Sequence, residues 1–423
     1  MISAEKYEAY VNILREELVP AMGCTEPISL AYAAALARET LGALPSRVEI
    51  TVSGNILKNV KGVVVPNTGG MKGVESAAAA GIVAGKANAK LEVLSAVDDI
   101  ARQAISDYLK TAQFTVEKSR SDCIFDIGIR VFHAPDEAFV RITGHHTNVV
   151  TVEKNGEFFI DKEAAEKREE RTDALTVEGI LEFADTANLA DVEETLERQI
   201  AYNSAIAEEG LRGDYGANVG KILLQSFGND VHNLAKATAA AGSDARMNGC
   251  NLPVVIVSGS GNQGMTASLP VVVYAKHLSV SRERLLRALL VSNLVTVHLK
   301  AGIGRLSAYC GAVSAGCGAG AGICYLRGGS YEEVARTVRN ALAINSGLIC
   351  DGAKSSCAAK IASAVEAGLV GMELSLSGSG FSGGDGILAD GVEGTIENVG
   401  DLARNGMRET DEEIIRLMIK KLS

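Results

Sequence analysis

The sequence predicts an α+β protein in which an α+β module, an antiparallel sheet with helices, is inserted into a large helical domain. Apolar and polar residues alternate only in the first part of the chain, as at Val48, Ile50 and Val52. From Val177 onward the pattern is almost wholly helical, with Gly-rich loops. The predicted domains are therefore 1–44, N-terminal helices that belong to the helical domain; 45–160, the inserted α+β domain; and 161–423, the helical domain.

Two helices are predicted before the module. Apolar side chains recur at helical spacing in the first of them: Tyr7, Val11, Leu14 and Leu18. Pro27 suits the first turn of the second helix, which extends to about Leu41 and is closed by Gly42.

The module combines strand pairs with Ala-rich helices. After the strand at Val48, alternation returns over 125–131 and continues over 139–143, beyond a turn at Pro135-Asp136. Asn155-Gly156 is a strong signal for a hairpin turn. Helices are predicted over 73–85 and 94–109. The charged run Lys162–Arg171 is predicted to mark the boundary to the helical domain.

Composition and charge exclude two classes of partner. The 423 residues carry 41 Lys+Arg and 52 Asp+Glu, a net charge of −11. An acidic protein is a poor match for a nucleic-acid backbone or an anionic membrane surface, because both are negatively charged. We therefore expect no nucleic acid and no membrane as partner.

The sequence predicts a cytoplasmic protein. Charges within the first 18 residues exclude a signal peptide. Two uncharged stretches, Asn251–Ala275 and Leu306–Leu326, reach the length of a membrane span, but Gly and Ser interrupt or dominate them, so we expect both to be buried in a soluble fold. In a reducing compartment the eight cysteines are not expected to form a disulfide framework.

Three cysteines share a local position that suits metal ligands. Cys24 lies at the start of the second predicted helix, where the positive end of the helix dipole is expected to favour a thiolate. Cys310 is predicted to begin a helix, and Cys350 lies in a loop between two helices. The remaining candidates are predicted to be small buried side chains on helix faces: Cys317, Cys324 and Cys357.

The segment Gly259–Gly264 matches G-x-G-x-x-G after an apolar run. A dinucleotide site also needs an unbroken helix and a second strand, whereas Pro270 follows and no such strand is present. The sequence therefore favours a tight polar loop, whose backbone N–H groups face a ligand or another element.

Other polar segments are candidates for binding a small ligand. The loops 55–59 and 66–70 follow apolar runs, and such loops often bind carboxylate or amino groups. Ordinary turn chemistry explains them equally well. His145-His146 ends a strand, where a histidine serves either as a general base or as a structural side chain.

Several motifs together resemble the L-cysteine desulfidase family, relatives of the iron–sulfur L-serine dehydratases. They are Gly23-Cys24-Thr25-Glu26-Pro27, Gly259–Gly264 with Met265–Pro270, and Cys350–Lys354. The resemblance covers essentially the whole chain. It implies a [4Fe–4S] cluster held by Cys24, Cys310 and Cys350 in the helical domain, with one iron left open. This chain departs from the pattern in its additional cysteines, which compete for the same role, and in lacking a C-terminal Cys.

The resemblance implies a lyase that converts L-cysteine to pyruvate, ammonia and hydrogen sulfide without pyridoxal phosphate. The candidate bases are Lys58 and His145. Seven polar residues are candidates for contacting the substrate: Asn55, Asn59, Asn67, Thr68, His146, Asn262 and Gln263. L-Serine as substrate and a non-catalytic amino-acid or redox sensor stay open as alternatives. The oligomeric state also stays open, with a homodimer as the assembly considered.

Overall fold

The computed structural model describes residues 2–162, 174–304 and 306–420. It confirms the predicted fold class, because a six-stranded sheet with helices occurs beside a large helical region. All but the first residue of the charged run Lys162–Arg171 lies outside the described residues, so the boundary assigned there stays a prediction.

The sheet of the module has the strand order β3-β2-β4-β5-β6-β7. Its strands are β2 (Arg47–Val52), β3 (Gln113–Lys118), β4 (Asp126–His133), β5 (Asp136–Thr143), β6 (Val149–Lys154) and β7 (Glu157–Asp161). The turn at Pro135 and the hairpin at Asn155-Gly156 are confirmed. Asn155 and Gly156 have φ values of 52° and 84°, the left-handed pair that a two-residue hairpin turn requires.

The sheet is mixed, whereas the sequence predicted an antiparallel one. Strand β3 pairs parallel to β2, and every other pairing is antiparallel. The sequence analysis missed β3 because only Phe114 and Val116 alternate there, on an edge strand whose other residues are exposed.

Three helices connect β2 to β3: α3 (Gly54–Val60), α4 (Val74–Ala84) and α5 (Asp99–Thr111). The predicted polar loop at 55–59 is wrong, because these residues form α3. Ser53 caps this helix by accepting a hydrogen bond from the Ile56 N–H, and Ile56 and Val60 bury one of its faces. Helix α3 projects several polar side chains from the end of β2.

The two N-terminal helices make different contacts. Helix α1 (Ala4–Glu17) packs on α6 (Val177–Thr186) of the helical region, where Phe183 contacts Tyr7 and Tyr10. Helix α2 (Thr25–Leu41) ends at Gly42 with φ 82°, as predicted, and packs mainly on α4 and on the sheet of the module. The assignment of both helices to the helical domain stays a prediction.

The helical region surrounds one apolar helix, α12 (Gly311–Leu326), which is buried along almost its whole length. Its neighbours are α10 (Gly261–His277), α11 (Arg282–Ile303), α13 (Tyr331–Ile344) and α14 (Cys357–Leu376). The remaining helices complete the region: α7 (Glu193–Arg212), α8 (Val219–Phe227), α9 (Val231–Met247), α15 (Val392–Asp401) and α16 (Arg408–Lys420).

The Gly-rich segment is not the predicted loop, because α10 begins at Gly261 and continues through Pro270 to His277. Ser260 caps this helix. The preceding strand, β8 (Pro253–Val255), pairs antiparallel with β1 (Pro20–Met22) in a separate two-stranded sheet. Pro270 therefore does not argue against a dinucleotide site. The pairing does, because such a site lies at the end of a parallel sheet.

Helix α11 is long and apolar enough to cross a membrane by length and composition alone. The protein itself buries 78% of the residues in its apolar window, a pattern that core helices of soluble proteins also show. The two uncharged stretches that the sequence analysis noted contain α10 and α12, and both helices are largely buried.

Glycines allow α12 to approach α14 closely. A Cβ atom at Gly320 would lie 2.5 Å from the carbonyl oxygen of Gly368, and one at Gly316 would overlap the carbonyl of Ala364. Backbone atoms cannot move aside as a side-chain terminus can, so this crossing tolerates no larger residue.

We expect Gly320→Ala to lower the free energy of unfolding by about 2 kcal/mol, because overpacking of about 3 kcal/mol exceeds a gain in helix propensity of about 1 kcal/mol. Urea unfolding followed by circular dichroism measures the change. Gly347→Ala is the matched control, since nothing lies within 4 Å of a Cβ there. Equal stability of the two variants would contradict the proposed close approach.

Candidate cysteine-lined active site

A short β-bridge brings Cys310 and Cys350 together. Tyr309 and Ile349 form the bridge. On either side of it, the Cys310 N–H donates to the Leu348 carbonyl at 2.9 Å and the Cys350 N–H donates to the Ala308 carbonyl at 2.7 Å. Cys310 is the N-cap of α12, and Cys350 lies in the loop before α14. Two cysteines 40 residues apart thus become neighbours through backbone hydrogen bonds.

The two thiols share a hydrogen bond. This bond lowers the pKa of Cys350 to about 5, despite burial, and the nearby charges of Lys58 and Lys300 contribute to the shift. The pKa of Cys310 is raised well above its usual value, first because of the bond to Cys350 and then because of burial. Each thiol therefore shifts the pKa of the other, and the two shifts have opposite directions.

Cys24 is the N-cap of α2, as predicted, but its buried surroundings favour the thiol over the thiolate. Burial raises the pKa of its thiol to about 12, and the charge of Arg246 only partly opposes this effect. The thiol donates to the Met247 sulfur at 3.6 Å and makes no capping bond. Loss of hydration therefore opposes the predicted thiolate more strongly than the helix dipole favours it.

Helix starts from different parts of the chain meet around these thiols. The Thr25 hydroxyl donates to the Gly259 carbonyl at 2.8 Å, which joins the start of α2 to the segment before α10. The side chain of Gln263 lies over Gly311, where a Cβ atom would be 2.6 Å from its Cδ. The start of α10 therefore contacts the start of α12, which carries Cys310.

Helix α3 closes this ring of contacts. The Lys58 ammonium donates to the Cys350 carbonyl at 3.4 Å, and the Asn59 amide donates to Glu26 at 3.1 Å. Glu26 follows Cys24 by two residues. The contacts therefore return to the start of α2, and the three predicted ligands Cys24, Cys310 and Cys350 belong to segments around one pocket.

A fourth cysteine, Cys357, lies at the same pocket. It shares a small buried cluster with Cys24, and it interacts electrostatically with Cys310 and Cys350. Cys317 and Cys324 instead lie buried along α12, where the sequence predicted small packed side chains. At about 1.5 Å per residue, Cys324 is roughly 20 Å from the start of that helix. Cys357 is thus the additional cysteine best placed to compete with an assigned ligand.

Lys58 is the better placed of the two candidate bases. It is buried, and its ammonium forms an ion pair of 2.5 Å with Asp411 on α16. His145 lies exposed in the turn after β5. His146 is buried against the ring of Phe125, and its backbone carbonyl accepts a hydrogen bond from Ser29. Its location is consistent with the structural alternative.

The predicted substrate contacts fall into two groups. Thr68 donates to the Val65 carbonyl within its own loop, and Asn67 donates to the Leu94 carbonyl and so joins this loop to the segment before α5. This loop still borders the site, because Pro66 lies against Gly23. The amide oxygen of Asn55 is buried without a hydrogen-bond partner among the described residues, and so is that of Gln263.

Asn262 belongs to a network that ends at Cys24. Its amide oxygen accepts a hydrogen bond from Arg246 at 3.1 Å, and its amide nitrogen lies 3.6 Å from the Met247 sulfur, which also accepts from the Cys24 thiol. Its side chain thus links the guanidinium to the buried thiol.

Sequence reasoning missed Glu26, Arg246, Lys300 and Asp411. Glu26 stands inside a motif that the sequence analysis quoted, so its position was available. The other three lie on α9, α11 and α16, and no local pattern links them to the cysteines. Burial raises the pKa of Glu26, and Arg246 opposes this shift.

The donor set fits a cluster better than a single ion. Within the described ranges, no three His, Cys, Asp or Glu side chains could hold one metal ion. An iron–sulfur cluster binds each cysteine through a different iron and therefore joins sulfurs that stand further apart. All eight cysteines are free thiols, and neither Cys24 nor Cys310 is occupied in capping a helix. The three predicted ligands have the chemistry that an iron–sulfur cluster requires, and that they hold one stays a prediction.

Comparisons with known proteins agree with this picture. Residues 88–416 match the family model described as serine dehydratase alpha chain. A UPF0597 protein of Desulfitobacterium hafniense is 56% identical over 99% of this chain and 98% of its own length. UPF0597 proteins of Lachnoclostridium phytofermentans and Treponema denticola are 49% and 46% identical over 98% and 99% of this chain, and over 100% and 99% of their own lengths.

Substitution of single cysteines tests the ligand assignment. We expect Cys24→Ala, Cys310→Ala and Cys350→Ala each to lose the brown colour and most of the bound iron and acid-labile sulfide, because a cluster held by two thiolates is poorly retained. Iron and sulfide are measured on anaerobically purified protein. Cys357→Ala and Cys317→Ala are matched controls and should keep both. Loss in Cys357→Ala with retention in Cys24→Ala would overturn the assignment.

Proposed function

Because the chain belongs to the serine dehydratase alpha chain family, a family of lyase-type enzymes, we propose that it is an iron–sulfur lyase that degrades L-cysteine. The observation that supports this proposal is the set of contacts that link the segments carrying Cys24, Cys310 and Cys350 to the buried Lys58. Three thiol ligands leave one position for a substrate atom, and a thiol substrate suits such a position.

Cys24, Cys310 and Cys350 would hold a [4Fe–4S] cluster. A cluster bound there would supply Lewis acidity at its open iron, which would make the substrate sulfur a better leaving group. The chain prepares two of these ligands, because Lys58 and Lys300 favour the anionic form of the Cys310–Cys350 pair. Cys24 is buried and Cys310 and Cys350 are half-buried, which limits access of water to the three thiols.

The chain's own chemistry is removal of the Cα proton. Lys58 is the proposed base, because its Nζ is buried beside Cys350 and contacts Asp411 at 2.5 Å. Transfer of one ammonium proton to the Asp411 carboxylate leaves the neutral amine that accepts the Cα proton. Transfer of the proton from Cα and departure of the sulfur from Cβ give aminoacrylate and hydrogen sulfide. Tautomerisation and addition of water then give pyruvate and ammonia, so one water is consumed for each L-cysteine.

Polar groups around the pocket provide substrate contacts. The unpartnered amide oxygens of Asn55 and Gln263 are buried acceptors that a substrate N–H can satisfy. Asn59 and Asn262 lie in the same ring and already hold Glu26 and Arg246. Asn67 and Thr68 contribute through the loop that they stabilise.

L-Serine is the second candidate substrate, because the matched family model carries the serine dehydratase name. The same removal of the Cα proton would then expel hydroxide in place of sulfide. We place L-cysteine first because the resemblance to L-cysteine desulfidases extends over the whole chain.

A comparison of substrates tests the function. We expect anaerobic, cluster-loaded protein to form pyruvate and sulfide in equal amounts from L-cysteine, with kcat/KM at least tenfold higher than for pyruvate formation from L-serine. Coupled assay of pyruvate and colorimetric assay of sulfide measure both. A preference for L-serine would replace the proposed substrate, and no turnover of either would end the lyase assignment.

Two substitutions of Lys58 separate a base from a mere positive charge. We expect Lys58→Gln and Lys58→Arg each to lower kcat by about 10²-fold or more, because neither side chain accepts the proton. Exchange of the substrate Cα hydrogen with deuterated solvent is measured in parallel and should be lost. Iron content controls for an intact site. If Lys58→Arg keeps kcat within tenfold of the original, Lys58 acts through its charge and is not the base.

A further inference from the structure

Arg246 presents a buried charge that the proposed elimination does not use. It lies near the end of α9 and is only 3% exposed. One terminal nitrogen of its guanidinium donates to Asn262 at 3.1 Å, while its Nε has no hydrogen-bond partner among the described residues. Burial of a guanidinium that is so sparsely bonded is costly, so a partner absent from the chain itself is expected.

The site is built to accommodate this guanidinium. A Cβ atom at residue 261 would lie 2.5 Å from the Nε of Arg246 and 2.9 Å from its Cζ. Only glycine therefore leaves room for the group at the start of α10. Gly261, one glycine of the G-x-G-x-x-G segment, thus leaves space for the Arg246 side chain. Its presence is explained without a bound dinucleotide.

An opposite charge stands near Arg246. Glu26 accepts a hydrogen bond from Asn59 at 3.1 Å, and the Thr25 hydroxyl oxygen lies 3.2 Å from its other oxygen. Arg246 is close enough to act electrostatically on Glu26 and on Cys24. The described residues nevertheless contain no direct ion pair between Arg246 and Glu26. The site therefore contains a guanidinium and a carboxyl group that do not contact each other directly.

We propose that Arg246 binds the α-carboxylate of the amino-acid substrate and that Glu26 accepts its α-ammonium group. This inference rests on the proposed function, which supplies an α-amino acid as substrate. A guanidinium recognises a carboxylate through paired N–H donors, and a carboxylate oxygen accepts from an ammonium group. With both charged ends held, the side chain of the amino acid extends toward the cysteines, and ligands that lack either charge bind less well.

Two thiols that each lack one charged group test the proposal. 3-Mercaptopropionate keeps the carboxylate of L-cysteine without the amine, and cysteamine keeps the amine without the carboxylate. Calorimetric titration of anaerobic, cluster-loaded protein gives their Kd values. We expect Arg246→Gln to raise the Kd of 3-mercaptopropionate at least tenfold and to change the Kd of cysteamine less than twofold. Glu26→Gln should show the reverse pattern.

Controls separate recognition from support of the fold. Arg287→Gln removes an arginine that bonds the Ala184 carbonyl elsewhere, and it should change neither Kd. If Arg246→Gln does not fold, Arg246→Lys carries the test. Lysine retains the positive charge but lacks the paired N–H donors. This variant should raise the Kd of 3-mercaptopropionate at least threefold and leave the Kd of cysteamine unchanged. The proposal is overturned if Arg246→Gln raises both Kd values equally or changes neither. It is also overturned if the original protein does not bind 3-mercaptopropionate.

Failure of the inference can be distinguished from failure of the proposed function. One outcome is that the variant Arg246→Gln loses 3-mercaptopropionate binding selectively while the original protein releases no sulfide from L-cysteine. That result would support the recognition role of Arg246 and reject the lyase function. Normal sulfide release with KM for L-cysteine unchanged in both Arg246 variants would keep the lyase and reject the role of Arg246. The binding data do not depend on turnover.

Discussion

The hydrogen-bonded bridge between Tyr309 and Ile349 is the constraint on which the site depends. It holds Cys310, at the start of α12, beside Cys350, in the loop before α14. Because these cysteines are neighbours, each shifts the pKa of the other, and the charges of Lys58 and Lys300 help to lower the pKa of Cys350. The start of α2, which carries Cys24, is joined to neighbouring segments by the contacts of Thr25 and Glu26.

The fold brings the segments around the site together. Starts of α2, α10 and α12 converge with the end of α3, so each supplies side chains at the place where its backbone changes direction. Glycine makes the convergence possible, because Gly311 leaves room for Gln263 and Gly261 leaves room for Arg246. In the same way, α12 meets α14 through backbone contacts at Gly320. A core poor in aromatic rings is thus closed by direct approach of backbones.

Local signals in the sequence predicted the elements that local chemistry determines. Gly42 ends α2 and Asn155-Gly156 turns a hairpin because these residues adopt left-handed backbone conformations readily. Strand β3 and the helix through Pro270 were missed because tertiary packing overrides weak or contrary propensity there. At the site, the positions of the cysteines were predicted from helix starts. Arg246 and Asp411 were not, since only long-range contacts place them near the pocket, and burial reversed the expected ionisation of Cys24.

The central claim is that three sulfurs hold a cluster and leave one iron to the substrate. Mössbauer spectroscopy of anaerobic protein reconstituted with ⁵⁷Fe, before and after addition of L-cysteine, tests it most directly. The account predicts one iron distinct from the other three, and a change on adding L-cysteine that is confined to that iron. Four irons that respond alike, or a spectrum that L-cysteine leaves unchanged, would contradict it.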